Sequence, residues 1–412
     1  MSSLETYLLA DIIYNVLSYL DKNDSFNFIN ISKSVMKYKY YLYKKYVFYY
    51  DAINHTNKFI HHIESIKSTK IIDYNTFKFN NLTTINFNLN QTKPIVGINF
   101  QQQFNFADLP KTLLTFSIEY YSFNLPINIL PQHLKVFNIT SMTFNQPINN
   151  LPLFLQEVHI NCEQFNQSVE KLPQTLTNLY IRSYRFDKSL DNLPMTLKSL
   201  NLFLCENYKK MDFKYLHNLM KLKIWNRSQN SILFPDNLLE LQVRNDYIEI
   251  FPELNTTLPI NLKILKLNVD VYDYLFNNLP ETLEHLTLDS IFYQSLDNLP
   301  KYLKQLIIFN PAFNKSVSKL PENLIELTID SDAFNKSLNN LPKNLQILKI
   351  VTKKYDKIID NLPRNLHTFI MYCPNFKNLL FCPPINLQIS IIDDHAPVEY
   401  YESNIVNCNW CK

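Results

Sequence analysis

The chain has 412 residues, a formal net charge of +3, 46% apolar and 14% aromatic residues, enough for a sizeable core. Length alone predicts about two or three domains, and the charge balance gives no polyanion-binding signal. Gly97 is the single glycine, which excludes phosphate-cradling loops, dinucleotide fingerprints and nucleophile elbows, because each needs several glycines for positive φ or close backbone approach.

Residues 1–50 open with apolar positions at helical spacing: Leu8, Ile12, Ile13, Val16, Leu17 and Leu20. Asp21 to Asp24 break that helix, and Phe26, Phe28, Ile29 and Ile31 form a second apolar cluster. Glu5 and Asp11 sit inside the first stretch, and a basic n-region and small-residue cleavage site are missing, so no secretory leader is expected. This stretch resembles the F-box pattern from Leu8 to Leu20, continued in register by Asp24, Phe28, Ile31, Ser32, Lys33 and Val35. Leu9 stands where that family usually has proline, and Val35 where it usually has tryptophan. The resemblance implies that Leu8, Leu9, Ile12, Ile13, Val16, Leu17, Leu20 and Ile31 bind a Skp-type adaptor. The alternative is a helical cap over the first coil of a downstream solenoid. Lys37 to Asp51 interleaves Tyr and Lys; it reads as the end of this module with snorkelling lysines rather than as a nucleic-acid surface.

Residues 51–80 read as a linker or solenoid cap, and residues 81–392 carry a repeat. The proline of a recurring Leu-Pro pair falls at Pro110, Pro131, Pro152, Pro173 and Pro194, spaced by 21. It resumes at Pro259, Pro280, Pro300, Pro321, Pro342 and Pro363, spaced by 21 or 20, and closes at Pro384. Pro235 falls in the gap, and Leu216 takes the missing proline's place in a coil that keeps Leu219, Leu222 and Ile224. After Leu320-Pro321 come Leu324, Leu327, Ile329, Phe334, Asn335 and Leu338 before Leu341-Pro342. The period-2 Leu-x-Ile pair predicts a short strand with both side chains inward. Proline sets the turn, and the mid-unit Phe fills the opposite wall. Such a coil has no room for a helix and buries nothing alone, so a mostly β, parallel-sheet solenoid of leucine-rich type is expected. The Asn or Asp after the aromatic (Asn105, Asn124, Asn145, Asn166, Asp187, Asn314, Asn335, Asp356) is expected to stack and satisfy backbone groups.

The unit, as in FNQPINNLP from Phe144 to Pro152 and FNKSLNNLP from Phe334 to Pro342, resembles the FNIP repeat, which is abundant in social amoebae and in giant DNA viruses of amoebae. An F-box before FNIP repeats implies the substrate-recognition subunit of a cullin-based, SCF-type ubiquitin ligase, with an unknown target protein held by the repeats. The runner-up is a protein-interaction scaffold without a ligase link.

Outward strand positions place His159, Tyr180, Asn201, Lys223, Gln242 and Lys266 in one column and Asn161, Arg182, Phe203, Trp225, Arg244 and Asn268 in the next. Tyr180, Arg182, Phe203, Trp225 and Arg244 are the expected partner-binding residues, because Tyr, Trp and Arg dominate hot spots. Acidic Glu119, Glu157, Asp289 and Asp330 on the same row count against RNA. No catalytic constellation, cofactor or metal site is expected. Cys408 and Cys411 form a C-x-x-C in the tail, residues 393–412, with only Cys373 and Cys382 nearby, unlike a zinc site. Sparse cysteines and the lack of an 18-residue apolar run predict a cytoplasmic protein away from membranes, in the host cytoplasm if the gene is viral.

Overall fold

The computed structural model describes residues 48–49, 65–68, 82–89, 104–204, 211–225, 232–245, 258–271, 278–374, 384, 387–392 and 399–401. The F-box-like residues Leu8, Leu9, Ile12, Ile13, Val16, Leu17, Leu20 and Ile31 lie outside them, as do Cys382, Cys408 and Cys411. The chain forms two compact units, Met1–Lys188 and Ser189–Lys412.

In the first unit, β1 (Phe48–Tyr49), β2 (Ser65–Ser68), β3 (Thr84–Asn88), β4 (Thr115–Glu119), β5 (Val136–Ser141), β6 (Glu157–Cys162) and β7 (Asn178–Arg182) follow one another. Each pairs in parallel with the next. Two short strands upstream of residue 81 therefore join the ladder of the repeat.

The second unit contains β8 (Ser199–Phe203), β9 (Met211–Asp212), β10 (Lys221–Trp225), β11 (Ile232–Leu233), β12 (Glu240–Asn245), β13 (Ile264–Val271) and β14 (His285–Ile291). It continues through β15 (Gln305–Phe309), β16 (Glu326–Asp330), β17 (Ile347–Val351), β18 (Thr368–Tyr372), β19 (Gln388–Ile392) and β20 (Glu399–Tyr401). Strands β8, β10 and β12 to β19 form a parallel ladder in that order, with a bulge between Asn268 and Val271. β9 and β11 pair separately, and β20 runs antiparallel to β19. The described residues of both units thus form mostly β, parallel-sheet solenoids, and the expected spacing of about 21 residues holds from β4 to β7 and from β13 to β19.

One turn shapes the described coils from Pro110 to Pro384. The proline carbonyl accepts the N–H of the leucine three residues on, as in Leu155 to Pro152 at 3.2 Å and Leu324 to Pro321 at 3.1 Å. Leu219 makes the same bond to Leu216 at 2.9 Å, so the proline-free coil keeps the turn. Strand side chains then alternate, with Val158 and Ile160, or Leu327 and Ile329, buried. The mid-unit rings form the opposite wall as a stack. Phe123, Phe144, Phe165 and Phe186 lie 5.8 to 6.0 Å apart, and Phe313, Phe334 and Tyr355 repeat this at 5.9 and 6.3 Å. Fully burying each ring is worth about 1.5–3 kcal/mol before any ring–ring term.

Three polar ladders join successive coils. The surface Asn ladder is present. Asn124 Oδ1 accepts the Asn145 N–H, Asn145 that of Asn166, and Asn166 that of Asp187, all at 2.9 to 3.1 Å. Asn314, Asn335 and Asp356 repeat it. Asn105 instead caps a 3-10 turn at Phe106–Asp108. Sequence reading missed the other two ladders. Asn323, Asn344 and Asn365 donate Nδ2 to the carbonyls of Lys301, Glu322 and Lys343. In the core, Ser141, Ser183, Asn310, Ser331 and Thr352 donate to the carbonyls of Phe123, Phe165, Phe292, Phe313 and Phe334 at 2.8 to 3.0 Å. The carbonyl beside each buried ring is shut off from water and needs a donor, and this side chain supplies one.

Candidate recognition surface

Parallel registry stacks equivalent outward residues of successive coils in columns, about 4.8 Å apart. In the first unit, His159 faces Tyr180 and Asn161 faces Arg182. The Tyr180 ring meets His159 edge to face at 3.9 Å. Burial pushes the His159 imidazole below its usual pKa and the Tyr180 phenol above its own, with Arg182 opposing the latter. Arg182 Nη2 donates to the Tyr184 hydroxyl at 3.1 Å, which holds the guanidinium over the Tyr184 ring and raises its pKa. Towards β3 the face turns to small polar groups, with Asn138 bonded to Ser117 and Asn88 to Glu119, both at 2.9 Å.

In the second unit, the registry places Trp225 between Phe203 and Arg244. Trp225 meets Phe203 edge to face at 5.6 Å, and the Arg244 guanidinium lies 4.1 Å from the Trp225 ring centre. Stacking of this kind at an exposed site contributes about 0.5–1 kcal/mol and holds the guanidinium flat. Of the five expected residues, the structure thus brings together Phe203, Trp225 and Arg244 in the second unit. Tyr180 and Arg182 lie on β7 in the first.

The same columns run further than the sequence reading followed them. Asn268, beside Arg244, donates to the Asp289 carboxylate. Burial raises the Asp289 pKa against the pull of Arg244. Asp330 is raised by burial and then by Asp332. One column over, His285 contacts Gln305 at 3.2 Å, Gln305 donates to Glu326 at 2.7 Å, and Lys349 donates to Glu326 at 3.1 Å. Burial opposes ionisation of Glu326, but these two hydrogen bonds outweigh it and its pKa falls. The sequence already puts Asp289 and Asp330 on this row, and adding the repeat length to Ile264 locates His285, Gln305 and Glu326 as well.

A cleft of about 360 Å³ at the turn edge is lined by Tyr302, Lys304, Asn323, Asn344 and Gln346 among others. The Asn323 and Asn344 amides there are already used in coil-to-coil bonds. Among the described residues, no group of three or more His, Cys, Asp or Glu could hold a metal ion, and no helix is long and apolar enough to cross a membrane. Cys162 and Cys373 are buried.

No protein-family model matches the sequence, and no curated protein matches it significantly. Among solved structures the chain is similar to CroV588, a circular LRR protein, at 22% identity and TM-score 0.40, covering 80% of this chain. It is similar to the internalin InlF of Listeria monocytogenes at 17% identity and TM-score 0.42, over 68% of this chain and 87% of that one. It is also similar to TLR13 in its complex with ssRNA13, at 17% identity and TM-score 0.41 over 79% of this chain. The chain spans 63% of the length of CroV588 and 66% of that of TLR13. The stacked coils themselves establish the fold: each unit of this protein is a leucine-rich-type, parallel-sheet solenoid.

Proposed function

We propose that the chain is a non-enzymatic protein-binding scaffold whose recognition surface is the outward face of its strands. The Phe203–Trp225–Arg244 cluster carries this reading. Aromatic residues and an arginine held against one another on a regular face are the groups that dominate binding energy at protein interfaces. Tyr180 and Arg182 offer a second pair of the same chemistry. Together with the F-box resemblance of residues 8–35, this supports a substrate-recognition adaptor of an SCF-type ubiquitin ligase. In that role residues 1–50 dock to a Skp-type adaptor, and the coils raise the effective concentration of a target protein beside the ligase. The FNIP-like unit belongs to the same reading.

The test is capture of purified Skp-type adaptor by the full chain, beside a Leu17→Asp, Leu20→Asp double variant. Capture that the variant abolishes supports the ligase role. Failure of the folded wild-type chain to capture the adaptor ends it. One observation favours a second reading, in which the N-terminal segment only caps the solenoid. Among the described residues the parallel ladder starts with Phe48–Tyr49, at the end of that segment in sequence. A cap predicts no adaptor binding and a lower unfolding midpoint for the double variant.

A further inference from the structure

The outward face of the second unit is divided by charge. Over β8 to β13 its described side chains present the cations Lys221, Lys223, Arg244 and Lys266 against the single carboxylate Glu240. Lys221 is taken up by Glu240 at 3.4 Å, whereas among the described residues no ion pair or side-chain hydrogen bond takes up Lys223 or Lys266. Over β14 to β16 the face presents Asp289, Glu326 and Asp330 and neither Lys nor Arg. Lys349 on β17 reaches back only to Glu326, at 3.1 Å. Asp330 meets no cation among the described residues, and its neighbour Asp332 is held by Lys353.

The spacing decides how a partner senses these charges. Lys223 on β10 and Asp330 on β16 are five strand intervals apart, roughly 24 Å at about 4.8 Å each. That is about three Debye lengths at physiological salt, so the outer charges of the two zones act as separate fields, and only Arg244 and Asp289 at the boundary feel each other. Trp225 and Phe203 lie within the cationic zone and Phe309, 41% exposed, within the anionic one. A nucleic-acid strand carries one sign of charge along its whole length. It would gain over β10 to β13 and be repelled over β14 to β16.

Building on the reading of this face as the recognition surface, we propose that the second unit binds an extended protein segment lying across its strands. The segment places an acidic end over Lys223, Arg244 and Lys266 and a basic end over Asp289, Glu326 and Asp330, with an apolar side chain against Trp225. At about 3.3 Å per residue, roughly seven residues of extended chain span the face.

Binding of the full chain is measured by fluorescence anisotropy with four labelled 12-mer probes. These are a peptide with a glutamate-rich half and a lysine-rich half around a central leucine, its all-glutamate and all-lysine counterparts, and oligouridine RNA. The bipolar peptide is expected to bind about tenfold or more tighter than the other three. In a Lys223→Glu, Lys266→Glu variant the preference is expected to pass to the all-lysine peptide. Equal binding of the bipolar and uniform probes, tightest binding of the RNA, or an unchanged preference in the variant overturns the proposal. A Trp225→Ala variant separates this failure from that of the underlying reading. Probe binding that has no charge preference but is lost in Trp225→Ala leaves the face as the recognition surface and removes only the charge assignment. Binding that neither variant alters, or no binding by any probe, removes both.

Discussion

Leu216→Pro restores the repeat consensus in a coil that lacks the proline, and the structure predicts that it destabilises the protein. The Leu219 N–H already bonds the Leu216 carbonyl at 2.9 Å, so the turn gains nothing new. The Leu216 N–H donates to the Phe213 carbonyl at 2.9 Å, and proline deletes that donor. Leu216 and Phe213 are both fully buried, at 0% exposure. Stranding a buried carbonyl costs about 1–3 kcal/mol. Shortening the filled Leu216 side chain adds roughly 1 kcal/mol. Against this, proline reduces unfolded-chain entropy and returns about 0.4–1 kcal/mol. The net expectation is a loss of about 1–3 kcal/mol, read as a lower urea midpoint of the full chain by circular dichroism. A raised or unchanged midpoint would refute the reasoning and show that consensus outweighs the local bond.

Ser183→Ala removes the donor to the Phe165 carbonyl and should cost about 1–3 kcal/mol in the same assay. Ser183→Thr, which copies the hydroxyl donor at Thr352, should cost less, and the reverse order would count against the role given to this column. Phe165→Ala opens the middle of the ring stack and should cost about 3–5 kcal/mol, measured as the shift in midpoint. Burial pushes the Cys162 thiol from 9.0 up to about 12. Stability tied to it is therefore complete below about pH 9 and declines between the two values, approaching 1.4 kcal/mol per pH unit. Cys162→Ser should flatten that alkaline decline relative to wild type, and urea midpoints measured at about pH 8 and pH 10.5 check it.

What was legible in the sequence is what repeats within one coil. The Leu-Pro turn, the inward Leu-x-Ile pair and the mid-unit Phe are local, and each recurs with the same residue type. The columns of outward residues followed from the period alone, which is how Phe203, Trp225 and Arg244 could be placed side by side. The two missed ladders are bonds between coils. Ser141, Cys162, Ser183, Asn310, Ser331 and Thr352 share one buried column but differ in residue type, so in sequence they look like loop residues. Their common task, reaching a carbonyl of the preceding coil, has no pattern within a single coil. The charge division escaped for a related reason. Acidic residues anywhere on the row argue against one class of ligand, but their separation from the cations matters only once strands are counted across the sheet.

All three polar ladders point the same way. In each, the later coil gives the proton and the earlier coil receives it, whether through Ser331 to Phe313, Asn335 to Asn314 or Asn344 to Glu322. A row of such coils has unlike ends, one with unspent donors and the other with unspent acceptors. Two copies meeting end to end would present complementary edges, and that head-to-tail contact leaves a fresh edge at each addition, which is the geometry of an open filament. The antiparallel strand β20 lies against β19 at the acceptor end of the second unit. Reversing the chain direction there breaks the ladder's translation, so the last coil offers an incoming copy a mismatched template in place of a continuing one.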